Sequence, residues 1–305
     1  MKPLKDILNK SLLNESLLNE SLLDDEDELF DRNNKTLIEL WIKENYKIHG
    51  TLKIYKDTLG FVVDSNDDVE VANEDIKSLT NGMFRWGKIA GCFDCRKCEK
   101  LISLEGAPKK CDDFYCSSCT ELRSLEGAPR KCDDFYCSSC TGLRSLEGAP
   151  KKCDWFDCSG CVGLISLEGA PTECYDFVCS GCTKLIFLKG SPKKCDLFNC
   201  TKCTGLISLE GAPNECGGFS CSNCTGLISL KGAPKKCILF YCSGCTELKS
   251  LEGAPQRVGS WFNCSKCTEL RSLEGAPNEC NQIECSGCPN LIITDNERKK
   301  YKIKL

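Results

Sequence analysis

Cys111-Asp-Asp-Phe-Tyr-Cys-Ser-Ser-Cys-Thr-Glu-Leu-Arg-Ser-Leu-Glu-Gly-Ala-Pro-Arg-Lys131 decides the reading of this chain, because the same unit returns, lightly edited, along most of it. A C-x-x-C pair marks every copy, ten in all, from Cys95/Cys98 to Cys285/Cys288. Successive pairs stand 21 residues apart, with one step of 22 between Cys242 and Cys264. A unit this short cannot enclose a core of its own. It buries its apolar face by stacking on its neighbours. Within the unit, Phe114 and Cys116 alternate with Asp113 and Tyr115, which is the period of a strand. Leu122 and Leu125 are spaced to point inward after that strand. Gly127-Ala128-Pro129 then turns the chain, because Pro fixes φ and cannot continue a ladder. Nine units carry this turn, once as Gly190-Ser191-Pro192. The coil leaves no room for a long helix. The expected fold is therefore mainly β: a parallel solenoid with one strand per 21-residue coil and a small α/β cap at its N-terminal end. Strands about 4.8 Å apart would make ten coils roughly 48 Å long.

The order F-x-C-S-x-C-x-x-L-x-S-L-x-G-A-P resembles the short bacterial type of leucine-rich repeat, and in particular repeats encoded by bacteriophages. On that resemblance Phe114 and Cys116 take the Leu slots of the strand, Cys119 takes the Asn slot, and Leu122, Leu125 and Pro129 match directly. The related repeats carry Val-Gly-Gly before the Phe. Two units keep a similar form, Ile89-Ala90-Gly91-Cys92-Phe93 and Val258-Gly259-Ser260-Trp261-Phe262. The resemblance covers about residues 69–292. It implies a solenoid scaffold, a bacteriophage setting, and a place in the host cytoplasm or on a virion. It does not specify one function, since such repeats serve many partners. With Cys in the Asn slot, a weak thiol donor must stand in for the usual amide ladder to the backbone.

Composition narrows the rest. The chain has 305 residues and 29 Cys, all between Cys92 and Cys288. It carries 40 basic and 44 acidic residues, a net −4, which gives no basis for binding nucleic acid by phosphate neutralisation. No apolar run reaches membrane-spanning length, so no membrane partner is expected. The opening residues lack the apolar core of a signal peptide, which points to a reducing, cytoplasmic setting where structural disulfides are rare. His49 is the single His, so His-based catalysis is not expected, and no acid–base or nucleophile constellation stands apart from the repeat.

The flanks differ from the repeat. Ser-Leu-Leu-Asn-Glu occurs at 11–15 and 16–20, followed by Ser-Leu-Leu-Asp-Asp at 21–25. A period of five spreads these Leu pairs around a helix, so residues 1–35 read as a frayed or unstructured arm, or as a docking tag. Thr36-Leu37-Ile38-Glu39 has capping-box spacing and predicts a helix over about 37–45. Residues 46–72 read as β-structure, with Val69-Glu70-Val71 as a degenerate first coil. Residues 36–88 would thus cap the solenoid, 89–293 would form it, and 294–305 would be a basic C-terminal cap. Arg298, Lys299, Lys300, Lys302 and Lys304 in that tail would block further stacking.

Three chemistries fit the cysteines. Cys116-x2-Cys119-x12-Cys132-x4-Cys137 has zinc-finger-like spacing, and a zinc-stabilised structural or virion scaffold is the alternative function. In tandem, however, every C-x-x-C would be claimed by two adjacent fingers. The third cysteine (Cys111, Cys132, Cys153, Cys174, Cys195, Cys216, Cys237, Cys280) is matched in the two remaining units by Ile89 and Val258, which cannot bind metal. Buried free Cys behaves as a small hydrophobe, so structural thiol ladders without cofactor are the preferred reading. Disulfides between stacked coils are geometrically possible but disfavoured by the setting.

A partner site emerges from comparing units. The residue before Phe and the residue after it vary while Phe, Cys, Leu, Gly and Pro recur. Alternation puts both variable columns on the outer strand face, where solenoids present binding surfaces. Tyr115, Tyr136, Trp155, Tyr241 and Trp261 are the candidate protein-binding anchors, with Asp113 and Asp134 beside them. A second, broken stripe of Lys and Arg follows the Pro turn, as at Lys109-Lys110, Arg130-Lys131 and Lys151-Lys152. It reads as a solvated corner, with an anionic ligand as the alternative.

Overall fold

A computed structural model of the chain describes residues 26–305, and the Ser-Leu-Leu repeats at 11–25 lie outside them. The chain divides into two compact units, Met1–Trp41 and Ile42–Leu305. Helix α1 (Glu26–Asn45) begins in the first and ends in the second. It starts eleven residues earlier than the sequence suggested. Thr36 is not a cap: its Oγ1 donates to the Arg32 carbonyl, 3.2 Å away and one turn back. A threonine in mid-helix commonly does this, and it produces the same sequence signature as a cap.

The second unit opens with β1 (Tyr46–Ile48), β2 (Leu52–Asp57), β3 (Gly60–Ser65), β4 (Val69–Val71) and β5 (Arg85–Ile89). β2 and β3 form a tight antiparallel hairpin closed by Asp57 and Gly60, and β5 joins β3 in parallel. Trp86 on β5 is fully buried, edge-on to Tyr46, Phe84 and Phe93. β4 lies parallel to the first repeat strand with Val69 opposite Phe93, so Val69–Val71 is a first coil. β1 pairs with β4 antiparallel and covers the edge that β4 would otherwise expose.

The repeat strands are β6 (Phe93–Asp94), β7 (Asp113–Tyr115), β8 (Asp134–Tyr136), β9 (Lys152–Asp157), β10 (Glu173–Val178), β11 (Leu197–Asn199), β12 (Gly218–Ser220), β13 (Lys236–Tyr241), β14 (Arg257–Asn263) and β15 (Glu279–Glu284). Each pairs in parallel with the next, and Phe faces Phe at successive rungs. The 22-residue step is absorbed in β14: Cys237 pairs with Val258 and Leu239 with Trp261, so one extra residue bulges between. A short helix α2 (Asp295–Lys300) follows, capped by Thr294 and Glu297. β16 (Lys302–Lys304) then pairs in parallel with β15, so the basic tail itself stacks as one more strand. The chain is thus a mainly parallel β-solenoid of 21-residue coils with a helical N-terminal region.

The core is a set of one-residue-per-coil ladders. Nine phenylalanines from Phe93 to Phe262 stack with centroids 5.3–5.6 Å apart and planes within 15°. Beside them run two Leu ladders, as at the fully buried Leu164 and Leu167, and the two ladders of the C-x-x-C pairs, as at the fully buried Cys158 and Cys161. Each buried Phe or Leu contributes about 1.5–3 kcal/mol relative to exposure. The turn glycines pack equally closely. Gly148 has φ +94, and a Cβ there would lie 2.3 Å from the Leu125 carbonyl.

Candidate functional site

The outer strand face is built by alternation. Phe is buried in every repeat strand from β7 to β14, and its neighbours on either side point outward; all but the buried Gly218 are half-buried. Asp113, Asp134 and Trp155 occupy one row of adjacent rungs. Tyr115 and Tyr136 occupy the next, stacked at 4.9 Å with planes 8° apart. Each tyrosine hydroxyl donates to the aspartate two residues before it, at 3.1 Å. Arg96, which the sequence comparison did not single out, lies with its guanidinium 5.0 Å from the Tyr115 ring, held there by Asp94. The patch is therefore rigid before anything binds it. Burial pushes the Tyr136 hydroxyl up to about 12. Burial also raises the Asp134 carboxyl, and the like charge of Asp113 adds to the effect.

The other two anchors stand apart. Tyr241 and Trp261 lie on β13 and β14, four and five rungs beyond Trp155, or about 19 and 24 Å. Between them the face carries Val178, Asn199 and Ser220. The indole nitrogens of Trp155 and Trp261 are buried and have no hydrogen-bond partner. A tryptophan anchor normally leaves its N–H to the partner. These two rings cover the sheet as well as facing out, and the tyrosine pair is the better-presented anchor.

The C-x-x-C ladders have a defined chemical role. From the second pair onward, the second thiol of each pair donates to the carbonyl of the first cysteine one coil back. Cys140 reaches Cys116 O at 3.1 Å, Cys161 reaches Cys137 O at 3.1 Å, and the series runs from Cys119 to Cys288. These thiols therefore form a side-chain-to-backbone ladder that ties each coil to the one before it. Burial drives the first thiols, such as Cys137, Cys179 and Cys221, well above the ordinary thiol range. Among the described residues, no group of three or more His, Cys, Asp or Glu is arranged to hold a metal ion.

Two further surfaces escaped the sequence reading. A groove of about 1360 Å³ runs beside the strands from Arg130 to Gly259. Its walls are the broken basic stripe, eight Lys or Arg against five Asp or Glu, and its floor carries Cys132, Cys153, Cys174, Cys195, Cys216 and Cys237. The acidic interruptions are neutralised by neighbouring coils: Glu173 by Lys152 at 2.7 Å and Glu215 by Lys236 at 4.0 Å. On the return side, Ile165, Ile186, Ile207 and Ile228 form a row 41–63 % exposed. The Leu-Ile-x-Leu tetrapeptides beginning at Leu164, Leu185, Leu206 and Leu227 were the available signal for that row.

No protein-family model, curated protein or solved structure matches this chain. Among the described residues no helix is long and apolar enough to cross a membrane.

Proposed function

We propose that this chain is a non-catalytic protein-binding scaffold. It engages its partner through the outer strand face, in the bacteriophage setting that its repeat resembles. One observation carries the reading: two outward rows change side chain from coil to coil while the residues beneath them stay fixed. Such a surface is selective by composition and rigid by construction, which lowers the entropy lost on binding. Its densest part is Arg96, Asp113, Tyr115, Asp134, Tyr136 and Trp155, with aromatic and Arg side chains of the kind that dominate interface energies. No cofactor is needed for this role.

The test is affinity capture by the full chain from its host, with quantitative mass spectrometry. A protein retained by the wild type should be lost roughly tenfold or more with Tyr115→Ala/Tyr136→Ala, at an unchanged melting temperature. Equal retention by the variant would remove this face from the account.

A further inference from the structure

The groove thiols stand out because the fold makes so little use of them. The second thiol of each C-x-x-C pair donates to a carbonyl. Among the described residues, the six thiols on the groove floor make no side-chain hydrogen bond. They are also in register. Cys153 pairs with Cys174 on adjacent strands. The bridges Lys110 to Lys131, Glu173 to Lys194 and Glu215 to Lys236 bring Cys111 beside Cys132, Cys174 beside Cys195 and Cys216 beside Cys237. The column therefore holds seven consecutive thiols, Cys111 to Cys237, before Val258 interrupts it.

A straight column offers each position only a neighbour above and a neighbour below. That cannot make the tetrahedral site zinc requires. It does suit a soft ion content with two ligands. Parallel strands set equivalent positions on adjacent coils about 4.8 Å apart, and two metal–sulfur bonds of about 2.3 Å span about 4.6 Å. Thiolates select Cu(I) among the first-row ions. Binding a monovalent ion between two thiols releases two protons and leaves a bis-thiolate of net charge −1. The groove supplies compensating charge, with eight basic against five acidic side chains, a surplus of three. We infer that the groove column is a binding site for Cu(I) and like monovalent soft ions, each held linearly between thiols of adjacent coils.

The ion must displace the two thiol protons as it binds. The role is separate from partner binding, since the groove does not include Tyr115, Tyr136 or Tyr241.

The experiment titrates reduced full-length protein with Cu(I), as its acetonitrile complex, without oxygen and against a chromophoric Cu(I) chelator. Seven consecutive thiols contain three separate adjacent pairs, so three ions per chain are expected with the far-ultraviolet dichroism unchanged. Two triple variants remove equal numbers of thiols, using the residue the column itself holds at 258. Cys132→Val/Cys174→Val/Cys216→Val leaves no adjacent pair and should take up no ion. Cys195→Val/Cys216→Val/Cys237→Val leaves two pairs and should take up two. The inference is overturned by equal stoichiometry in the two variants, by uptake only with loss of the strand signal, or by no uptake in the wild type.

Discussion

At the scale of the residue, the fold uses one side chain, cysteine, in two ways. In the C-x-x-C pair the second thiol is a donor that ties one coil to the next, as Cys161 does to the Cys137 carbonyl. In the groove column the thiol makes no such bond, and Val258 takes its place on β14 opposite Cys237 and Cys280. Substituting valine separates the two roles. Cys161→Val leaves a buried carbonyl without its donor and should cost about 1–3 kcal/mol in urea unfolding. Cys174→Val should stay within about 0.5 kcal/mol of the wild type, as substitutions away from special features do. Similar losses for both would mean that the donor role of the pair is not real. The sequence could not distinguish the two uses, because spacing shows which residues share a slot and not which atom a sulfur faces.

At the scale of the element, each coil is a short strand and a turn held by its predecessor. The glycine of the Gly-Ala-Pro turn has positive φ in all nine copies, 83–94°, and from Gly127 onward it lies against the backbone of the coil before. Gly148→Ala therefore meets both a strained backbone and the Leu125 carbonyl, and should lower stability by about 1–3 kcal/mol, read from the denaturant midpoint. The strand and the turn were legible in the sequence because Phe114, Cys116 and Pro129 speak through period and fixed φ, which are local. The start of α1 was not, because Thr36 bonds backward to Arg32 and the same tetrapeptide describes a cap and a mid-helix threonine. The outer anchors were legible as a face by alternation alone. That Tyr115 and Tyr136 stack while Trp155 and Trp261 bury their indole nitrogens depends on neighbouring coils, which no single unit contains. The groove was missed for the same reason, since it exists only when the basic corners and six third cysteines of successive coils line up.

At the scale of the whole molecule, the thiols make stability depend on alkali. The folded chain holds thiols such as Cys137, Cys179 and Cys221 protonated far above the ordinary thiol range, whereas unfolded cysteine ionises near pH 8.5. A raised folded value means that stability is complete below the unfolded pKa and falls as pH rises toward the folded one. Each such thiol lowers it by about 1.4 kcal/mol per pH unit in that window. With this many acting together, the reduced protein should unfold cooperatively between about pH 9 and 10, and dichroism across that range checks it. Unchanged dichroism at pH 10 would show that the ladders are not sealed. The account as a whole rests on closed coils with their sulfurs inside, and thiol titration tests that most directly. Twenty-four of the 29 cysteines are buried, and five are partly exposed: Cys92, Cys195, Cys216, Cys280 and Cys288. The account predicts that no more than five react with an aromatic disulfide reagent at pH 7.5 in native buffer, and all 29 in guanidinium. Rapid reaction of most thiols in the native protein would contradict the solenoid, and a shortfall in guanidinium would contradict the free-thiol ladders.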